Sequence, residues 1–194
     1  MKKQLLCITF FVVSLTFYSQ QHDSGTIEVI PQIGFFASFL NGDNVEDISA
    51  RSSFNFGATV DYYFSNRWSL RSGLVYNSMG AKNTNSSELT LNYLNVPINV
   101  NWHFGSTRKW NLNFGVTPGF LIKADIDGID AGDFHESFQL AISYGIGYKL
   151  EVSDNFSLLF DGQALLGVTN IIDSDDITRF NAGSGFNIGG VFSF

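Results

Sequence analysis

The sequence predicts an all-β fold: an eight-stranded antiparallel up-and-down transmembrane β-barrel, preceded by a cleaved signal peptide. Three observations predict it. Apolar and polar residues alternate with a period of two through eight separate stretches, so each forms a strand with one oily and one polar face. The connections between stretches run long, short, long, short, long, short, long. Strands of about ten residues or more suit a tilted bilayer crossing, and even strand number with alternating loop lengths marks an outer-membrane barrel. Mean hydropathy is only +0.07, which excludes a helical membrane protein. Charged residues make up 15% of the chain, against about a quarter in soluble proteins.

Residues 1–20 read as a secretory signal, with Lys2 and Lys3 ahead of an apolar run over 5–17 that is short for a membrane helix. The mature barrel domain is then 21–194. The single cysteine, Cys7, lies in the signal, so disulfide and thiol chemistry are excluded from the mature chain. Without Lys2 and Lys3 the basic residues fall from 11 to nine against 18 acidic ones, which excludes nucleic acid as a partner.

The first strand, 27–40, places Ile27, Val29, Ile33, Phe35, Ala37 and Phe39 on one face and Glu28, Gln32, Gly34 and Ser38 on the other. A polar loop, 41–52, precedes the second strand, 53–64, which sets Phe54, Phe56, Val60, Tyr62 and Phe64 against Asn55, Gly57, Thr59 and Asp61. A tight turn, 65–67, leads to the third strand, 68–79. Phe64 opposite Trp68 in this hairpin puts Asp61 directly opposite Arg71 on the polar face. A loop, 80–88, and the fourth strand, 89–104, follow, with Leu94, Val96, Ile98, Val100, Trp102 and Phe104 against Asn95, Asn99, Asn101 and His103. The fifth strand, 110–122, repeats the pattern with Trp110, Leu112, Phe114 and Phe120 against Asn111, Asn113 and Gly115. An acidic loop, 123–137, separates it from the sixth strand, 138–150, which ends its oily face on Tyr148 and carries Lys149 on the other. The seventh strand, 156–168, opens on Phe156 and holds Asp161 and Gln163 on the polar face. After an acidic loop with Asp173, Asp175 and Asp176, the last strand, 180–194, alternates as far as Phe192 and Phe194, which a lipid-facing strand can expose at no cost.

Alternation alone does not say which face is inside. The polar face is rich in Gly, Asn, Ser and Thr and poor in charge, which fits the crowded interior of a small barrel better than a soluble exterior. Phe64, Trp68, Trp102, Phe104, Trp110, Tyr148, Phe156 and Phe194 sit beside short turns or the terminus, as an interfacial aromatic girdle does. Closure also leaves no unpaired backbone in lipid. The lipid-facing wall is therefore the oily one, and Asp61, Arg71, Lys149 and Asp161 form a lumenal polar network that plugs the barrel. Pro31, Pro97 and Pro118 fall inside strands, so bulges or irregular pairing are expected there.

The segments Tyr93-Leu94-Asn95-Val96-Pro97-Ile98, Phe114-Gly115-Val116-Thr117-Pro118-Gly119-Phe120, Tyr144-Gly145-Ile146-Gly147-Tyr148 and Leu165-Leu166-Gly167-Val168-Thr169-Asn170-Ile171 resemble those of the PorT-like small outer-membrane barrels, a group often labelled porin family. The resemblance implies an integral outer-membrane barrel without a cofactor, and for the family's namesake a role in protein secretion. Terminal Phe194 resembles the signal read by the barrel assembly machinery. The partners implied are outer-membrane lipid, that machinery, and envelope or secretion proteins.

Two features bear on chemistry. Asp125, Asp127, Asp130, Asp133 and Glu136 offer oxygens to Ca²⁺, with Glu136 twelfth from Asp125, yet Asp130 stands where a calcium loop needs glycine. A solvated acidic loop is the expectation. His135 beside Ser137 offers a base and a nucleophile for a lipid-A-modifying enzyme, but neighbours along a chain do not converge on one substrate. The function expected is non-enzymatic: structural, surface-interacting or accessory to secretion or transport. A small channel for polar solutes is the alternative.

Overall fold

The computed structural model describes residues 23–45, 47–83, 87–174 and 176–194. The expected signal peptide 1–20, with Cys7, and residues 22, 46 and 175 lie outside them. The strands are β1 (Ile27–Gly42), β2 (Ile48–Ser65), β3 (Trp68–Asn83), β4 (Glu88–Asn95), β5 (Ile98–Phe104), β6 (Trp110–Ile126), β7 (Ile129–Asp130), β8 (Phe138–Ser153), β9 (Phe156–Gly167) and β10 (Arg179–Ser193). β4 and β5 are two halves of one stave. β7 is a short ribbon folded back on β6. Eight antiparallel staves remain, and β10 pairs with β1 to close the ring. Ile27 and Phe194 exchange backbone hydrogen bonds across that seam.

Hydrogen-bonded partners trace the stagger of the barrel. The row runs Phe192, Val29, Val60, Ser72, Ile98, Val116, Ile142, Leu166 and returns to β10 at Ala182, ten residues from its start. With about 3.3 Å per residue and about 4.7 Å between strands, this stagger tilts the staves by about 40° and sets a backbone radius of about 8 Å. Such a ring has room for side chains and little else.

Alternation sorts the two faces as expected. Outward Phe35, Phe54, Phe56, Phe114 and Ile146 are exposed to lipid, while Asn55, Thr59, Asn101, Asn111, Asn113 and Asn187 are buried in the lumen. Inward glycines make space for these amides. Gly34 is paired with Asn55 on one side and Asn187 on the other, and a methyl group there would overlap both amide oxygens. Gly147 stands in the same relation to Asn111 and Asp161.

Several expectations are corrected. The outer connections are shorter than read, because backbone pairing continues above the oily wall under polar side chains: Ser49 pairs with Lys82, and Ser38 with Arg51. Trp68 faces Ser65 rather than Phe64, since the hairpin bulges at Phe64, yet Asp61 still faces Arg71. Of the bulges or irregular pairing expected at the prolines, irregular pairing is found, at Pro97 and on the β10 side of Pro31, and no register shift accompanies it. The register on both sides of Pro97 is unchanged, and the stave only loses pairing over Val96 and Pro97, where Val96 N–H still donates to Pro118 at 2.8 Å. A proline removes one donor, and a gap in pairing accommodates that without an extra residue. The bulges lie elsewhere, in β2 between Ala50 and Asn55, where β6 passes Asn92 and Tyr93, and near Glu151.

Candidate functional site

The lumen is the candidate site, and it is built in tiers. The lowest lies at the end of the short turns. Lys149 Nζ donates to both carboxylate oxygens of Glu28 at 2.6 Å and to Tyr63 Oη at 3.0 Å. Tyr63 and Ser193 also donate to Glu28, at 3.1 and 3.2 Å. The Tyr63 ring lies 4.8 Å from that of His103, whose Nε2 shares a 2.9 Å hydrogen bond with Ser69 Oγ. Ile30, Leu159 and Val191 pack together as a small apolar cluster in the lumen.

Above this tier Arg71 grips Asp61 with two bonds of 2.7 and 2.9 Å and Asp161 with one of 3.1 Å. Asn101 donates to Asp61 at 3.0 Å, and Gln163 to Asp161 at 2.7 Å. A fork-on-carboxylate pair is the strongest geometry available to these groups. All of the charges are at least nine-tenths buried.

A cell of about 60 Å³ follows, lined by Asn55, Thr59, Asn77, Asn95, Thr117 and Asn187 among others. Polar atoms of these six side chains have no protein partner, so the cell is suited to water rather than to an apolar guest. The outer half of the lumen is different again. Phe36, Leu40, Met79, Leu91, Tyr93 and Leu165 fill it as a buried apolar cluster, joined by Ala131 and Ile171 from the outer connections.

The four lumenal residues read from the sequence thus fall into two groups. Asp61, Arg71 and Asp161 meet directly; Lys149 lies in the tier below with Glu28. Glu28 and Tyr63 belong to the network and were not singled out. The apolar half was missed as well. Its signal is a doublet that breaks the alternation, as in Phe35-Phe36, Phe39-Leu40 and Leu165-Leu166: one member faces lipid and the other the lumen.

The aromatic residues near the short turns form a running belt on the outer wall. Trp68 to Trp102, Trp102 to Phe104, Phe104 to Trp110 and Trp110 to Tyr148 have ring centroids 6.3, 5.2, 6.3 and 4.8 Å apart. Phe156 meets Phe192 at 5.1 Å, and Phe64 and Phe194 are exposed beside them.

The acidic loop does not gather its carboxylates. The β7 ribbon pairs Asp125 with Asp130, Asp130 Oδ1 accepts from Gly132 N–H at 3.0 Å, and Asp125 meets Lys123 at 3.4 Å. Asp127 turns away to accept from Ser87 Oγ and from Glu88 N–H, which hold its carboxyl below the usual carboxylate range. Asp133 lies in a short 3-10 turn, and the Glu136 amide donates to Ile171. Among the described residues, no three His, Cys, Asp or Glu side chains are placed to hold a metal. His135 is buried and bonds through Nδ1 to the Ala131 carbonyl at 2.9 Å, while Ser137 is exposed.

The chain matches the family described as "Outer membrane protein beta-barrel domain" over residues 18–189. No curated protein matches the sequence. Solved structures share the fold at low identity. OprG from Pseudomonas aeruginosa superimposes with a TM-score of 0.58 at 13% identity, over 91% of this chain and 99% of that one. Neisserial surface protein A gives 0.56 at 14% identity, over 88% and 99%. Ail, the attachment invasion locus protein of Yersinia pestis, gives 0.50 at 16% identity, over 88% and 99%.

Proposed function

Since the chain belongs to the outer membrane protein beta-barrel domain family and is an integral outer-membrane barrel, we propose that it is a closed, non-conducting and non-enzymatic barrel that acts through its outer face and its partners. One observation carries this reading: two charged tiers and an apolar cap pack the lumen, with a cell of about 60 Å³ between the upper tier and the cap. A ring of about 8 Å radius filled in this way supports a plug and not a pore. The work is then structural, surface contact, or support of a secretion or transport complex, the last in keeping with the resemblance to PorT-like barrels.

Conductance of purified protein in planar bilayers tests the proposal. The expected record is a quiet baseline at moderate voltage. Steady unitary openings would overturn it in favour of a small channel for polar solutes.

A further inference from the structure

The oily wall does not end at one height. On β2, β3 and β4 its last large apolar side chains are Phe54, Tyr76 and Leu94; on the other staves the wall continues to Phe39, Ile122, Phe138, Val168 and Phe180. Each residue rises about 2.5 Å along the axis and each stave climbs about 3 Å over its neighbour, given the tilt of about 40°. The first group then ends about 20 Å above the aromatic belt, and the second at about 25–30 Å. One face of the barrel is therefore polar at a level where the opposite face is still apolar.

Basic residues stand at and above the top of that polar step, two of them beside irregular backbone. Along β6 the lumen row is Asn111, Asn113, Thr117 and Gly119, and simple alternation would put Lys123 in it. The bulge between Leu121 and Lys123 pairs Lys123 with outward Asn92 instead, and Ala124 takes the lumen position. Arg51 likewise follows the lumen row of Ser53 and Asn55, but lies at the register shift of β2. Its guanidinium reaches Ser78 Oγ at 3.0 Å and Glu88 Oε1 at 2.6 Å. Lys82, on the outward row of β3, pairs with the same Glu88 at 3.2 Å. Bulges re-aim side chains: one turns Lys123 outward, and beside the other the Arg51 head reaches across to Ser78 and Glu88 with 12% of its side chain exposed. The other basic residue at this end, Arg179, is occupied with the carbonyls of Asp43 and Asn44.

We propose that Arg51, Lys82 and Lys123 form a binding site for the phosphate of a phosphorylated glycolipid in the outer leaflet. Arg51 and Lys82 share the Glu88 carboxylate and Lys123 meets Asp125, so three cations stand against two paired acids and one positive charge is left over. Lys82 and Lys123 are about half exposed, at 48% and 60%, and reach a headgroup without displacing the wall. Ser52, Ser78 and Asn92 line the step beneath them and supply neutral hydrogen-bonding groups. A guanidinium and an ammonium at one site match a phosphate monoester by charge and by donor geometry.

The test uses the full folded barrel in detergent micelles. Native mass spectrometry would count retained diphosphorylated lipid A against fully dephosphorylated lipid A. The phosphorylated lipid is expected to bind about tenfold tighter, and the double variant Arg51→Gln/Lys82→Gln to lose most of that preference. Glu88→Gln removes the competing carboxylate and should tighten binding about threefold, a gain that a misfolded barrel cannot produce. Heat-modifiable gel mobility checks folding in each case. Equal retention of the two lipids overturns the proposal. So does a double variant that folds and keeps its preference, or a Glu88→Gln barrel that binds no tighter.

Discussion

Replacing Arg71 by alanine is expected to be among the most destabilising single changes in this barrel. Arg71 makes three charge-assisted bonds, two to Asp61 and one to Asp161, and the two carboxylates are 1% and 2% exposed. Removing the cation leaves both acids buried, with Asn101 and Gln163 as their side-chain donors among the described residues. Breaking a buried pair in this way costs about 3–5 kcal/mol. At a slope of about 2 kcal/mol per molar urea, the unfolding midpoint falls by about 2 M. In an Asp61→Ala background only the single bond to Asp161 remains to be lost, so the same change should cost about 1–2 kcal/mol. The coupling between Arg71 and Asp61 is then about 2–3 kcal/mol, and that between Arg71 and Asp161 smaller. The assay is urea unfolding in phospholipid vesicles, followed by tryptophan emission. All three tryptophans, Trp68, Trp102 and Trp110, stand in the membrane-facing belt and report insertion directly. Equal cost of Arg71→Ala with and without Asp61 would refute the reasoning. An apolar pair of similar volume, Arg71→Met with Asp61→Leu, should recover part of the loss, because it removes the charges that burial penalises.

Other outcomes follow from the same packing. Gly34→Ala should cost about 2–3 kcal/mol or prevent folding, since the new methyl meets Asn55, Asn187 and the Phe186 carbonyl at 2.6 Å; a folded Gly34→Ala barrel with an unchanged urea midpoint would count against it. Leu91→Ala, at a fully buried position of the apolar cap, should cost about 2–5 kcal/mol in the same assay, and a loss under 1 kcal/mol would mean that the cap is loosely packed. The Asp127 tie between the outer connections should be pH-dependent. Its folded pKa is depressed, first by the Ser87 hydroxyl and then by the Glu88 amide, so its contribution is present above the unfolded value and lost as pH falls through the folded one. The Glu88 amide resonance should hold steady from neutral to mildly acid pH and move only below the ordinary carboxylate range, and a midpoint near neutrality would contradict this.

The wall of this protein was determined by its sequence. A period of two fixes the face of every side chain, so the lipid-facing row, the Asn and Gly of the lumen and the aromatic belt could all be read from local pattern. The same pattern, with one tight turn, was enough to set Asp61 opposite Arg71, because a hairpin register depends only on residues close in the chain. Contacts across the lumen were not legible in this way. Glu28 meets Lys149 from 121 residues away, and Asp161 reaches Arg71 from 90. Which inward side chains share a height depends on the closure of β10 on β1 and on the stagger accumulated round the ring, and neither is a property of one strand. The bulges beside Arg51 and Lys123 have the same origin. An extra residue in one stave has meaning only against the stave beside it, so the tertiary structure alone decided that Lys123 faces outward and that the Arg51 head reaches Ser78 and Glu88.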